Sequence, residues 1–191
     1  RSFLGLVNFS ARFISQYATI SEPLRRLTRK DTPFKFGPEQ RASFNALKSS
    51  LASAGKLAYF NKDAPTQVVA DASPVGLGAV LVQEQNGSQV VISYASRSLT
   101  ECERRYSQTE KEALALVWAC EKFHPYIYGG KFTLVTDHKP LEVIYGPHSK
   151  PSARIERWVL RLQGYDFCVK HVNGSDMIAD SLSRLVSGES K

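Results

Sequence analysis

Four carboxylates in the second half of this chain stand where folding alone does not call for them. Asp71 closes the apolar run Gln67-Val-Val-Ala, and Glu112 heads the helical run Ala113-Leu-Ala-Leu-Val-Trp. Asp137 closes Phe132-Thr-Leu-Val-Thr, and Asp180 opens the helical turn in Ile178-Ala-Asp-Ser-Leu-Ser-Arg. Two acids at strand ends and two on helices, alternating along the chain, predict one convergent acidic cluster. Such a cluster repels itself unless divalent cations neutralise it, and hard oxygen ligands favour Mg2+ or Mn2+.

The elements that must position these acids follow from the pattern of apolar residues. Thr66–Asp71, Gly76–Gln85 and Gln89–Ser96 read as three strands, with Ser73-Pro-Val-Gly as one turn and Asn86-Gly as a hairpin turn. They make an antiparallel meander. Thr109–Phe123 is a helix with Ala113, Leu116, Val117 and Cys120 along one side. Lys131–Thr136 is a fourth strand, apolar enough to be buried on both faces, and Lys139–Tyr145 a short helix. Ser152–Gln163 is amphipathic, Asp166–Val172 a fifth strand and Met177–Leu185 a closing helix. Helical crossovers lead to the fourth and fifth strands, so both are predicted parallel to the first. Were the first and fourth neighbours, Asp71 and Asp137 would emerge together at the carboxyl ends of strands, where open sheets bind ligands.

The N-terminal third is helical by periodicity. Phe3, Leu4, Leu6, Val7, Phe9, Phe13 and Ile14 recur at near-helical spacing, followed by Ile20, Leu24 and Leu27. Ser21-Glu-Pro-Leu reads as a helix start with Pro23 in the first turn. A further helix opens at Pro38, with Phe44, Leu47 and Leu51 on its apolar side, and a connector runs from Ser53 to Pro65.

Charge divides the chain in the same place. Residues 1–65 hold 11 Lys/Arg against 4 Asp/Glu, whereas residues 66–191 hold 14 of each, so the net charge of +7 belongs to the N-terminal third. A solvated basic face is one reading. The other is a grip on nucleic acid, because Lys and Arg contacts to phosphates release condensed counterions. A hydrophobic content of 42% suits a globular protein, and no apolar run approaches the roughly 20 residues that span a bilayer. Cys102, Cys120 and Cys168 match no disulfide or metal spacing, which points to a reducing compartment. With no signal-peptide pattern at the N-terminus, an intracellular location follows, either a cytoplasmic particle or the nucleus.

The order of strands and acids resembles the ribonuclease H fold, and local strings resemble the polyprotein of gypsy-type LTR retrotransposons. Those strings are Phe3-Leu-Gly-Leu-Val-Asn-Phe, Pro33-Phe-Lys-Phe-Gly-Pro-Glu-Gln, Ala70-Asp-Ala-Ser-Pro-Val-Gly-Leu-Gly-Ala-Val-Leu, Ser93-Tyr-Ala-Ser-Arg-Ser-Leu, Tyr106-Ser-Gln-Thr-Glu-Lys-Glu, Val135-Thr-Asp-His-Lys-Pro-Leu and Ile178-Ala-Asp-Ser-Leu-Ser-Arg. The resemblance implies an α/β fold of RNase H type. Its five-stranded mixed sheet has three antiparallel strands, then two parallel ones, flanked by helices and preceded by a small helical segment. Residues 1–65 correspond to a thumb/connection segment, 66–185 to an RNase H domain, and 186–191 to a disordered tail. The polymerase metal motif Tyr-X-Asp-Asp is absent, so no DNA synthesis is expected. A chain starting at Arg1 in mid-motif reads as a piece of a larger polyprotein.

The family's activity is hydrolysis of the RNA strand of RNA/DNA hybrids, with products bearing 5′-phosphate and 3′-hydroxyl ends. By resemblance the metal ligands are Asp71, Glu112, Asp137 and Asp180, holding two Mg2+ ions about 4 Å apart, with Mn2+ as a substitute. Asp71 would bridge both ions, Asp180 would serve the water side, and Glu112 and Asp137 the leaving-oxygen side. The implied partners are the hybrid, recognised by its 2′-hydroxyls, and the fingers and palm of the parent polymerase. The alternative is a catalytically weak or inactive retroelement-derived module that binds nucleic acid or protein.

Each residue has a plainer reading beside this one. Asp71 suits an Asx turn, Asp137 a strand end, and Asp180 a helix N-terminus, where a charge contributes about 0.3–1 kcal/mol. Glu110 competes with Glu112, but residues two apart on a helix do not share a face. Glu112 lies nearer the apolar stripe, and Glu110 reads as a helix N-terminal charge. His171 is either a mobile proton-shuttling histidine or a residue of the fifth strand. Gln108 and Thr109, one turn before Glu112, are placed to touch the minor groove. Asp176, where many relatives carry Asn, adds charge beside Asp180 and bears on substrate contact. His138 either supports Asp137 or lies on the surface. Trp118 and Trp158 read as core aromatics.

Overall fold

The computed structural model describes residues 2–30, 32–52, 57–145 and 151–173. The predicted closing helix, Asp176, Asp180 and the tail lie outside the described residues.

A five-stranded sheet has the order β3-β2-β1-β4-β5. Its strands are β1 (Thr66–Ala72), β2 (Gly76–Gln85), β3 (Ser88–Ser98), β4 (Lys131–Thr136) and β5 (Asp166–His171). β1, β2 and β3 pair antiparallel; β4 lies parallel to β1, and β5 parallel to β4. The hairpin between β2 and β3 turns at Asn86 and Gly87, with φ of 52° and 74°. Two successive positive φ angles match the twist of the flanking strands, which is why Asn-Gly serves there.

One face of the sheet is covered by α5 (Gln108–Ile127), whose residues Ala113, Leu116, Val117, Cys120 and Phe123 are buried against Val68, Ala70, Leu81 and Leu134. A Ser107–Glu110 capping box starts this helix. It runs on to Ile127, past the predicted end at Phe123, with Pro125 in its last turn. α7 (Ala153–Leu162) packs beside it through Ile155, Trp158 and Leu162, while α6 (Pro140–Ile144) follows β4. Between β3 and α5 lies α4 (Glu101–Arg104), a four-residue helix with a Thr100–Glu103 capping box, absent from the periodicity reading because four residues carry no period. Trp158 is buried as expected, and Trp118 is half-buried with the Arg97 guanidinium over its ring.

The N-terminal helices α1 (Ser2–Phe9), α2 (Tyr17–Arg26) and α3 (Pro38–Ala52) enclose a second cluster of Val7, Ile14, Tyr17, Leu24 and Leu47. The predicted start of α2 at Ser21 is corrected to Tyr17, which leaves Pro23 inside the helix. Gln16, in the left-handed region, precedes its first turn, and Ser96 of β3 accepts from the Ala18 N–H at 3.0 Å. A partner on the sheet therefore satisfies a first-turn donor, so the helix begins earlier than its Ser-Glu-Pro signal. Among the described residues no helix is long and apolar enough to cross a membrane.

Candidate active site

β1 and β4 run parallel with Val69 opposite Val135. Continuing that register two residues sets Asp71 beside Asp137 at the carboxyl ends of the two strands. α5 then lays Glu112 over β1, where the residue is 3% exposed. One carboxylate oxygen from each of Asp71, Glu112 and Asp137 lies within 4.8 Å of the other two. Three chain segments thus bring three of the four sequence-picked acids together.

Glu112 is held by its neighbours on both oxygens. Oε2 accepts from the Ala72 N–H at 3.2 Å, and Oε1 accepts from the Gln108 side-chain amide. The same Gln108 nitrogen donates to the Ala72 carbonyl at 3.2 Å. Gln108, expected to face a nucleic acid groove, is exposed and bonds to Glu112 and Ala72 from there. Its spacing of four from Glu112 on one helix carries that signal in the sequence. Glu110 sits apart: it accepts from the Ser107 N–H at 3.0 Å and pairs with Arg154 at 2.6 Å.

Asp137 is the exposed member, and its backbone is fixed on both sides. His138 bonds Thr109 Oγ1 through Nε2 at 2.9 Å, and its N–H donates to Thr136 Oγ1 at 3.1 Å. Thr109, also expected at the groove, ties α5 to the end of β4 through its bond to His138. His171 is the last residue of β5, in register with Thr136, and its Nε2 donates to the Asp137 carbonyl at 3.1 Å.

Electrostatics mark the cluster as incomplete by itself. Burial pushes Glu112 up to about 8, and the charges of Asp71 and Asp137 add to the effect. Asp71 is raised as well, by burial first and then by Asp137. Carboxylates this close resist full charge together at neutral pH, and a bound cation relieves that repulsion. Hard anionic oxygens from three elements suit a divalent cation such as Mg2+ or Mn2+, and the donor set fits the group that the resemblance implies.

Comparison with known proteins gives the chain's family and fold. Residues 61–165 match the family described as RNase H-like domain found in reverse transcriptase. The chain belongs to that family. It is 39% identical to the retrovirus-related Pol polyprotein from transposon 412 of Drosophila melanogaster, over 100% of this chain and 15% of that polyprotein. It is 36% identical to the Pol polyprotein from transposon 297 of the same organism, over 97% of this chain and 17% of the relative. The Tf2-3 polyprotein of Schizosaccharomyces pombe is 32% identical, over 97% and 14%. The gypsy-type retrotransposon resemblance is therefore borne out along the chain, which spans only a small part of each polyprotein. Among solved structures, the foamy viral protease-reverse transcriptase in complex with RNA/DNA hybrid superposes with a TM-score of 0.67 at 24% identity, over 91% of this chain and 24% of that one. The same protein in complex with dsDNA gives 0.69 at 24% identity, over 91% and 37%. The RNase H-like fold expected from the sequence is the fold observed.

Proposed function

We propose that this chain is a divalent-cation-dependent endonuclease that hydrolyses the RNA strand of RNA/DNA hybrids as part of a retroelement reverse transcriptase. The observation that carries this reading is the convergence of Asp71, Glu112 and Asp137 to within 4.8 Å at the carboxyl ends of β1 and β4. Asp71, Glu112 and Asp137 hold the cations, joined by Asp180 from beyond the described residues. The bound ions supply activation of the attacking water and charge neutralisation at the scissile phosphate.

The chain's own residues do the rest. Gln108 and the Ala72 N–H fix the orientation of Glu112, so the cluster does not rearrange as charge develops. His171 bonds the Asp137 carbonyl, and His138, the next residue, is tied to Thr109 of α5. His171 is a candidate for proton transfer only after it leaves the Asp137 carbonyl. The excess positive charge of residues 1–65 draws the polyanionic duplex toward an acidic site that would otherwise repel it. The foamy viral relative in fold has been captured on both a hybrid and dsDNA, which supports a duplex as the substrate class. The fingers and palm of the parent polyprotein are the partners that complete substrate binding.

The test is cleavage of an end-labelled RNA/DNA hybrid in Mg2+ and in Mn2+. Wild-type protein is expected to cut the RNA strand and leave the DNA strand intact, and Asp71→Asn to lose at least about 100-fold in rate. Equal rates for the two proteins would sink the proposal. Wild-type protein that binds the hybrid without cutting it in either cation would favour the binding-module alternative.

A further inference from the structure

We propose that α2 clamps the strand end that carries Asp71, with Thr19 and Ser73 as its positioning pair. The inference rests on the proposed reading of Asp71 as a cation ligand. In the sheet, Asp71 pairs with Gly78, and Gly78 pairs with Ser96. One cross-strand row therefore runs Asp71, Gly78, Ser96, on the face opposite the buried neighbours Leu77, Ala79 and Ala95 that pack under α5. The beginning of α2 lies on Gly78 and Ser96 of this row. Ser96 Oγ accepts from the Ala18 N–H at 3.0 Å, and Gln16 Cγ sits 3.8 Å from where a Cβ on Gly78 would be.

The turn just after Asp71 is held by the same helix. Ser73 N–H donates to the Gly76 carbonyl at 2.9 Å, and Gly76 N–H donates to Ser73 Oγ at 2.9 Å, closing the turn. Thr19 Oγ1 of α2 meets that Ser73 Oγ at 3.0 Å. Gly76 is closely packed: a Cβ there would lie 3.2 Å from Ala18 Cβ and 3.0 Å from the Arg97 carbonyl, so its neighbours would have to shift by a few tenths of an ångström. On its other side the strand end is tied to α5 through Ala72 and Glu112. The residues flanking Asp71 are thus held from two helices at once.

The clamp has its own anchor. Glu22 of α2 is 5% exposed and accepts from Arg29 at 2.7 Å and from Arg104 of α4 at 3.1 Å. Arg97 of β3 in turn pairs with Glu103 of α4 at 2.8 Å. The helix is therefore fixed at its start to Ser96 of β3 and near its middle, through Glu22 and Arg104, to α4. The N-terminal segment in this arrangement sets the geometry of a ligand that it does not touch.

The experiment uses the full chain with Thr19→Val, Thr19→Ser and Gly76→Ala. Hydrogen exchange of the segment around residues 71–78, read without cation, is expected to quicken several-fold in Thr19→Val and further in Gly76→Ala, and to stay as wild type in Thr19→Ser. Calorimetric titration with Mn2+ alone is expected to show binding weakened by about 3- to 10-fold in Thr19→Val, below the 10- to 100-fold seen when a ligand's direct support is lost. Hybrid kinetics should show kcat lowered with KM held. Wild-type exchange and wild-type Mn2+ affinity in Thr19→Val would overturn the clamp, as would a lowered Tm with both of those unchanged. A wild-type chain that binds Mn2+ but cuts nothing would sink the proposed function, and the exchange and titration would still decide the clamp.

Discussion

Glu112 accepts a hydrogen bond from the N–H of Ala72 at 3.2 Å, so the buried carboxylate on α5 is joined to the residue that follows Asp71. This bond keeps two acids close in spite of their mutual repulsion. Without cations the arrangement costs stability whenever Glu112 is charged. Its pKa rises from 4.5 to about 8, through burial and then through Asp71 and Asp137. The native state therefore binds this proton more tightly than the unfolded chain. The resulting stabilisation is complete below about pH 4.5 and is lost as pH rises through about 8. Asp71, also raised, acts in the same direction. The cation-free protein is expected to lose stability between pH 5 and pH 8. Glu112→Gln should flatten that slope and raise the cation-free Tm at pH 8 by roughly 4–8 °C, for a change on the order of 2 kcal/mol. Thermal unfolding in a chelator across this range is the measurement. The same variant should bind Mn2+ more weakly, and saturating Mn2+ should stabilise wild type more than the variant.

Gln108 separates two roles. Its amide bridges Glu112 and the Ala72 carbonyl. Gln108→Ala would leave the carbonyl of buried Ala72 and a carboxylate oxygen each short of a donor, a cost of about 1–3 kcal/mol. If the side chain chiefly orients Glu112, the Mg2+ concentration needed for half-maximal cleavage rises and KM for the hybrid stays. A raised KM at unchanged Mg2+ requirement would instead return Gln108 to the groove-contacting role that its position suggests.

Glu110 and Glu112 differ in kind although two residues apart. Glu110 is the N3 member of the capping box, and hydrogen bonds from Ser107 together with the Arg154 guanidinium hold its carboxyl below the usual range. Ser107→Ala should destabilise the protein by about 1 kcal/mol through loss of the cap. Glu110→Gln should leave hybrid cleavage within a few-fold of wild type, where Glu112→Gln abolishes it. Loss of cleavage in Glu110→Gln with the fold intact would put the helix register of the site in error.

Why some of this is legible in the residues and some is not is a matter of range. Strand alternation, the Asn86-Gly turn and the helical crossovers are local signals, and together they predict β4 and β5 parallel to β1; that β1 and β4 are neighbours, which sets Asp71 beside Asp137, comes only from the sheet order. The choice of Glu112 over Glu110 rests on helical geometry together with the position that the family resemblance implies. The start of α2 goes the other way. Ser21-Glu-Pro has the chemistry of a helix start, yet Ser21 is fully buried and its hydroxyl donates to the Ala18 carbonyl at 3.4 Å. Docking on Ser96, 78 residues away in sequence, extends the helix back to Tyr17. No local pattern encodes a contact of that span. The Thr19–Ser73 pair and the buried Glu22–Arg104 bridge are hidden for the same reason. The Thr100–Glu103 capping box of α4, in contrast, is present in the sequence and lacks only a helix long enough to show a period.

The three cysteines give an independent check of the packing around α5. Cys120 is fully buried among the α5 core residues, and burial pushes its thiol up to about 12. Cys102 and Cys168 are exposed. Reaction with a thiol reagent requires both access and thiolate, and Cys120 has neither in the native state. Native protein is therefore expected to release two equivalents rapidly and the third only on unfolding. Because Cys120 lies two turns along the helix from Glu112, its reaction rate reports whether α5 stays seated. A variant such as Glu112→Gln that loses cleavage while Cys120 stays unreactive has lost chemistry and kept its helix. One that exposes Cys120 at the two-equivalent rate has lost the fold, and its inactivity says nothing about the acid.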